Sequence, residues 1–170
     1  MKLPVWKPLY MFLKLFGAPV EWEKSVGAVL FRMKGDVREY LLLRYPSGHF
    51  EFPRGHVEDG ETEEDTLRRE TEEETGISDI SIIYPLRLES RFFYVAGRNE
   101  KKKRVESGKG YWVFKRAFFY PALTPESDTT ISHEHTGFVW LPFDQALEKL
   151  TFANAKRVLT AAEEYMRKRQ

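Results

Sequence analysis

The sequence predicts an α+β protein, a mixed α/β sandwich in which a sheet and several helices share one core. Three observations predict it. Segments rich in β-branched and aromatic residues recur along the chain, one long polar stretch with helical signals lies between the second and third of them, and two helical segments close the C-terminal end. A length of 170 residues suits a single domain with a proper core. The lack of cysteine excludes disulfides, thiolate catalysis and Cys-type zinc sites, and it fits a reducing, cytoplasmic setting.

Taken in order, residues 1–24 read as an N-terminal extension and 25–170 as the domain. In "MKLPVWKPLYMFLKLFGAP" the longest apolar run, Leu9 to Leu13, follows Pro8 and is stopped by Lys14. It is too short for a secretion signal or a spanning helix, and no membrane partner is expected. Its Trp6, Tyr10, Phe12 and Phe16 are expected to pack on the domain or a partner chain; a weak membrane-surface contact is the alternative. Ser25 to Met33 and Glu39 to Tyr45 read as a strand hairpin around Gly35 and Asp36, and "PSGHFEFPRG", broken by Pro46, Gly48, Pro53 and Gly55, reads as loop.

From Thr62 the signals are helical: a threonine N-cap, acidic residues at the positive end of the dipole, and Gly76 as a stop. Strands return at "DISIIYPLRLESRFFYVA" and "GYWVFKRAFFYPA", joined by "GRNEKKKRVESGK", which reads as a polar, mobile connection. "TGFVWLPF" is a short strand and Asp144 to Leu150 a brief helix. Ala153 to Arg169 is a longer helix that buries Val158, Leu159, Ala162 and Met166. Trp112 and Trp140 fall within strand patterns and read as core.

Charge is concentrated in one place. Between Gly55 and Gly76 stand ten acidic residues against Arg68 and Arg69, in a chain whose net charge is only +1. Glu70, Glu73 and Glu74 share a helix face within an arc of about 100°. Like charges at that spacing repel, so a stability argument alone would disperse them. A solvated helix face is the plain explanation of such a run. A hard divalent cation reverses the sign of the argument, because Mg²⁺ prefers carboxylate oxygens and bridges to phosphates.

The spacing Gly55-x5-Glu61-x7-Arg69-Glu70-x2-Glu73-Glu74-x-Gly76-Ile77 resembles the signature of the Nudix hydrolase family. The resemblance implies the Nudix fold, an α/β/α sandwich with a mixed β-sheet, and an enzyme using Mg²⁺ or Mn²⁺ to hydrolyse a nucleoside diphosphate linked to another group. By position, Glu70, Glu73 and Glu74 are implied as metal ligands, Arg69 as the group orienting a carboxylate, Gly55 as the close approach of loop to helix and metal, and Glu61 as a brace for the loop. Thr71 replaces the family's bulky aliphatic residue, and a buried threonine there needs a hydrogen-bond partner.

Three flanking stretches resemble the asymmetrical bis(5′-nucleosyl)-tetraphosphatase family: "FPRGHVEDGE" with "RETEEETGI", "YVAGRNEKKKRVESGKGYWVF", and "ISHEHTGFVWL". They imply a dinucleoside polyphosphate substrate, with diadenosine tetraphosphate cut to AMP and ATP. Arg54 suits bidentate phosphate contact. The basic segment holding Lys103 and Lys109 serves either as a solvated tip or as a phosphate or RNA contact. Glu134 resembles the extra carboxylate outside the box, while His133 and His135 beside it lack the further ligands of a closed zinc site. Tyr94 by position stacks an adenine. Phe138 either stacks or packs in the core, and His56 either touches phosphate or positions the loop. An enzyme removing pyrophosphate from RNA 5′ ends, one cleaning nucleoside triphosphates, and a non-catalytic nucleotide- or RNA-binding module are the rival readings. Oligomeric state leaves no mark in the sequence.

Overall fold

The computed structural model describes residues 6–126 and 128–169. The side chain of Trp6 lies outside the described residues. The chain divides into two units, Lys24–Ser90 with Ala117–Gln170 and Met1–Glu23 with Arg91–Arg116, and three strands run from one into the other.

In the larger unit, β1 (Val20–Lys34) and β2 (Val37–Arg44) form the expected hairpin, with Phe31 opposite Tyr40 and Lys34 opposite Val37. The turn between them holds Gly35 at φ +60, a left-handed conformation that glycine adopts without a Cβ clash. Ser25 to Phe31 of β1 is continuously buried, so its residues read as an apolar run and not as an alternation. β8 (Gly137–Pro142) pairs antiparallel with β2, and β7 (Trp112–Leu123) lies beside β1 on the side away from β2. The core gathers Val26, Ala28, Leu30, Leu41, Leu43 and Phe118 from the strands with Leu67 and Ile77 from the helical region.

The stretch Pro46 to Gly55 is not loop throughout. Phe50–Glu51 forms β3 against β2, and Arg54–His56 forms β4 against β1, with Ser25 opposite His56 and Gly27 opposite Arg54. Pairing partners distant in sequence supply the hydrogen bonds here, and local turn residues give no sign of them. The expected strand from Asp79 to Ala96 is also broken, into β5 (Ser81–Ile82) and β6 (Leu88–Val95), with Tyr84 and Pro85 between.

The polar helix is α2, Glu63–Thr75, and its ends are as expected. Thr62 and Asp65 close a reciprocal capping box, Asp65 N–H donating to Thr62 Oγ1 at 3.2 Å and Thr62 N–H to Asp65 Oδ2 at 2.9 Å. Gly76 ends the helix at φ +71. Thr71 is buried, and its hydroxyl donates to the Leu67 carbonyl at 2.7 Å, so the departure from an aliphatic residue leaves no unpaired group. α4 (Phe143–Lys149) and α5 (Ala153–Arg167) close the chain, with Val158, Leu159, Ala162 and Met166 buried as predicted. Glu163 of α5, also buried, accepts from Arg38 Nη1 at 2.5 Å and from the Tyr40 hydroxyl, which fixes the helix to β2.

The smaller unit contains α1 (Trp6–Leu15), where Tyr10 packs on Trp22 and Phe114 at ring-centroid distances of 5.3 and 5.7 Å. Phe12 and Phe16 instead pair with each other at 4.6 Å and stay 58% and 72% exposed. The expected mobile connection is a helix, α3, spanning Arg98–Glu106. Its order comes from Arg104, which donates to Glu100 one turn back at 2.7 Å, to Glu23 at 2.5 Å and to the Gly110 carbonyl at 3.2 Å. A run of like charges hid that anchor in the sequence. Trp112 stacks on Phe93 at 5.7 Å in this unit, while Trp140, in the larger one, packs on the core cluster; both are partly buried.

Candidate active site

Arg69 organises the acidic face of α2. Its Nε and Nη2 donate to the two oxygens of Glu61 at 2.6 and 3.0 Å, Nη1 donates to Glu70 at 2.8 Å and Glu73 at 3.1 Å, and Nη2 reaches the His56 carbonyl at 2.9 Å. One guanidinium thus holds three box carboxylates and the preceding loop together. Glu61 also accepts from Glu58 N–H at 3.0 Å and from the Thr66 hydroxyl at 2.7 Å. Its carboxyl is held down at about 2, first by Arg69 and then by these two donors. It joins the loop to the helix.

The loop meets the helix at Gly55. A Cβ added there would lie 1.7 Å from Glu70 Oε1, so only glycine lets the Glu70 carboxylate rest against this backbone. Pairing of β4 with β1, Gly55 opposite Val26, fixes the position of that backbone. Burial raises the Glu70 carboxyl despite Arg69.

Glu74 is the most enclosed of the three, at 6% exposure. Arg54 N–H donates to its Oε2 at 2.9 Å, and His135 Nε2 lies 3.1 Å from its Oε1. Burial pushes Glu74 up to about 8, and the charges of Glu70 and Glu134 add to that. The segment carrying Glu134 and His135 is held against the end of α2 by Thr130 N–H on the Thr75 carbonyl at 2.8 Å and Ser132 N–H on the Glu74 carbonyl at 3.2 Å. His135 is buried against the Tyr45 ring, edge-on at 4.6 Å, and its burial favours the neutral imidazole.

Arg54, Gly55, Glu70 and Glu74 therefore meet in one place with Arg69 behind them. Glu134 couples electrostatically to Glu74, whereas Glu73 is 58% exposed at the rim. His56 contributes its carbonyl to Arg69 and exposes its side chain. Phe138 on β8 is 40% exposed, which is not a core position. Tyr94, Lys103 and Lys109 belong to the smaller unit: the Tyr94 hydroxyl donates to Glu100 at 3.0 Å, and both lysines are exposed. Among the described residues no group of three or more His, Asp or Glu side chains is gathered closely enough to hold a metal ion by itself. The box carboxylates make an open face of hard oxygen donors around a cradle without a Cβ, and this donor set fits a divalent cation that keeps some of its waters.

Two parts of this surround went unread in the sequence. In the sequence His135 offers itself only as a zinc ligand, yet it stands against Glu74. Glu51, 7% exposed beside Arg54, is raised by burial; its place in "FEFP" gave only an alternation of Phe and Glu as a signal.

Comparison with known proteins agrees with this geometry. Residues 22–162 match the Nudix domain family. The asymmetrical bis(5′-nucleosyl)-tetraphosphatase of Caenorhabditis elegans is 31% identical over 138 residues, 80% of this chain and 91% of that protein. The protein of the same name from Sus scrofa is 31% identical over 153 residues, 84% and 95% of the two chains. A crystal structure of a C. elegans Ap4A hydrolase binary complex superposes with a TM-score of 0.67 at 28% identity, covering 85% of this chain and 97% of that one. The chain belongs to the Nudix hydrolase family.

Proposed function

We propose that this protein hydrolyses dinucleoside polyphosphates, diadenosine tetraphosphate in particular, releasing AMP and ATP. The observation that carries the reading is the Arg69-centred join of Glu61, Glu70 and Glu73 against Gly55, with Glu74 beside it and every carboxylate of the box present. The substrate class rests on the relatives named as tetraphosphatases, which match this chain through the box and its flanks.

Glu70, Glu73 and Glu74, with the Gly55 carbonyl and Glu134, would hold Mg²⁺ or Mn²⁺. The cation, when bound, lowers the pKa of water and neutralises charge on a phosphoryl group. The chain's own part is positional. Arg69 hydrogen-bonds Glu70 and Glu73, and Arg54 N–H orients Glu74. The Arg54 side chain offers positive charge to the phosphates and His56 a ring nitrogen, and Phe138 offers a ring face to a base. Water adds to one phosphorus, the bridging P–O bond breaks, and the nucleotide leaves with the bridging oxygen, so that substrate and water equal AMP plus ATP.

The test is a panel of diadenosine tetraphosphate, 5′-triphosphorylated RNA, ADP-ribose and 8-oxo-dGTP compared by kcat/KM. Diadenosine tetraphosphate is expected to lead, with AMP and ATP in equal amounts. RNA in first place would favour the rival reading, for which the exposed basic helix α3 speaks. Glu74→Gln is expected to lower kcat by about two orders of magnitude at saturating Mg²⁺. An unchanged rate would overturn the catalytic reading.

A further inference from the structure

We propose that α1 docks this protein on an anionic lipid surface, with the apolar face of the helix as anchor and the basic smaller unit as its electrostatic partner. Leu9, Met11, Phe12, Leu15 and Phe16 are 42%, 68%, 58%, 82% and 72% exposed. At 100° per residue they cover one continuous arc of roughly 160° on the helix. Tyr10, held by Trp22 and Phe114, faces the other way, so the helix is already seated and its apolar side turns outward. Contiguous exposed apolar surface of this kind marks an interaction site.

Charge selects the occupant. The smaller unit carries twelve of the chain's 27 Lys and Arg but only four of its 26 Asp and Glu. No acidic residue precedes Glu21, while Lys2, Lys7 and Lys14 lie in that segment. Pairing α1 with its counterpart in a second copy would bring two strongly basic units together, which repulsion opposes. An RNA backbone would satisfy the charge but leave Phe12, Leu15 and Phe16 in water. A membrane surface with anionic headgroups takes both. Apolar side chains enter the acyl boundary, and the exposed cations of the unit, Lys101, Lys102 and Lys103 among them, meet the phosphates. Arg104 and Lys115 are instead paired with Glu23. Among the described residues no helix is long and apolar enough to cross a membrane.

The test is co-sedimentation of the full chain with phosphatidylcholine vesicles and with vesicles containing phosphatidylserine, at low and raised salt. Binding to the anionic vesicles is expected, weaker at raised salt and weak on the neutral ones. The double variant Phe12→Asp and Leu15→Asp is expected to lose at least about tenfold in partition coefficient. Its circular dichroism and its rate on nucleotide substrate should match the parent, since neither residue belongs to the box and both are exposed. Equal pelleting of parent and variant, or no pelleting of the parent, overturns the proposal. So does a dimer in lipid-free light scattering that the same variant dissociates, which would assign the face to self-association, or vesicle binding abolished by competing RNA at low ionic strength.

Discussion

At Gly55 a single methyl group is expected to separate activity from stability. The atom that a Cβ would strike is the end of the Glu70 side chain, which can rotate away at little cost. The backbone there has no positive φ, so alanine meets no backbone strain. Gly55→Ala should therefore leave the melting temperature within a few degrees while pushing Glu70 out of the Arg69 hydrogen bond. We expect kcat to fall by at least about tenfold, with the two readouts measured side by side. A variant that unfolds early but hydrolyses normally would show that the glycine serves packing. The sequence already contained this pairing of Gly55 with the box, because a fixed spacing records a required contact. It contained no comparable mark for His135 or Glu51, whose significance depends on where β3 and the segment after Thr130 come to rest.

At the scale of elements, α2 was readable because its determinants are local: a capping box, acidic first turn and terminal glycine all act within a few residues. Its first turn is also tied down, with Glu63 accepting from Arg87 at 2.7 Å and from Tyr120 at 2.5 Å and paired with Lys24 at 2.7 Å. Thr62→Ala removes one side of the capping box and should cost about 1 kcal/mol, seen as a lower denaturant midpoint at unchanged slope. Thr62→Ser should restore it. No change on removing the hydroxyl would mean that the Glu63 contacts alone fix the helix start. α3 was misread for the opposite reason: its order depends on Arg104 reaching Glu23, a partner far away in sequence. β3 and β4 escaped in the same way, since two- and three-residue strands exist only through their neighbours.

Over the whole molecule, the carboxylates divide into two sets with opposite pH dependence. Glu61 and Glu63 are held at about 2 by their cationic and hydroxyl partners, and Glu163 is lowered by its donors Tyr40, Arg167 and Arg38 despite burial. Their folded pKa values lie below the unfolded ones, so their stabilisation is present above the ordinary carboxylate value and is lost as pH falls from there through the folded values, about 2 for Glu61 and Glu63. His49 and His135, lowered by burial, act in the same sense a little higher in pH. Glu74 acts in the other direction: raised to about 8, it stabilises below its ordinary value of 4.5 and loses that contribution as pH climbs toward 8. Metal-free protein in chelator should thus have its highest melting temperature in the mildly acid range, above about 4.5, with an acid limb below it and an alkaline limb that descends toward about 8. Glu74→Gln should flatten the alkaline limb and leave the acid limb, because glutamine has no proton to lose. Added Mg²⁺ should raise the melting temperature more at pH about 8 than at pH about 6, since ligation requires the ionised carboxylates. That gain should largely disappear in the glutamine variant. Calorimetry across pH on both proteins, with and without Mg²⁺, measures all of this, and a parent protein with no alkaline limb would mean that the Glu74 carboxyl ionises freely in the folded chain.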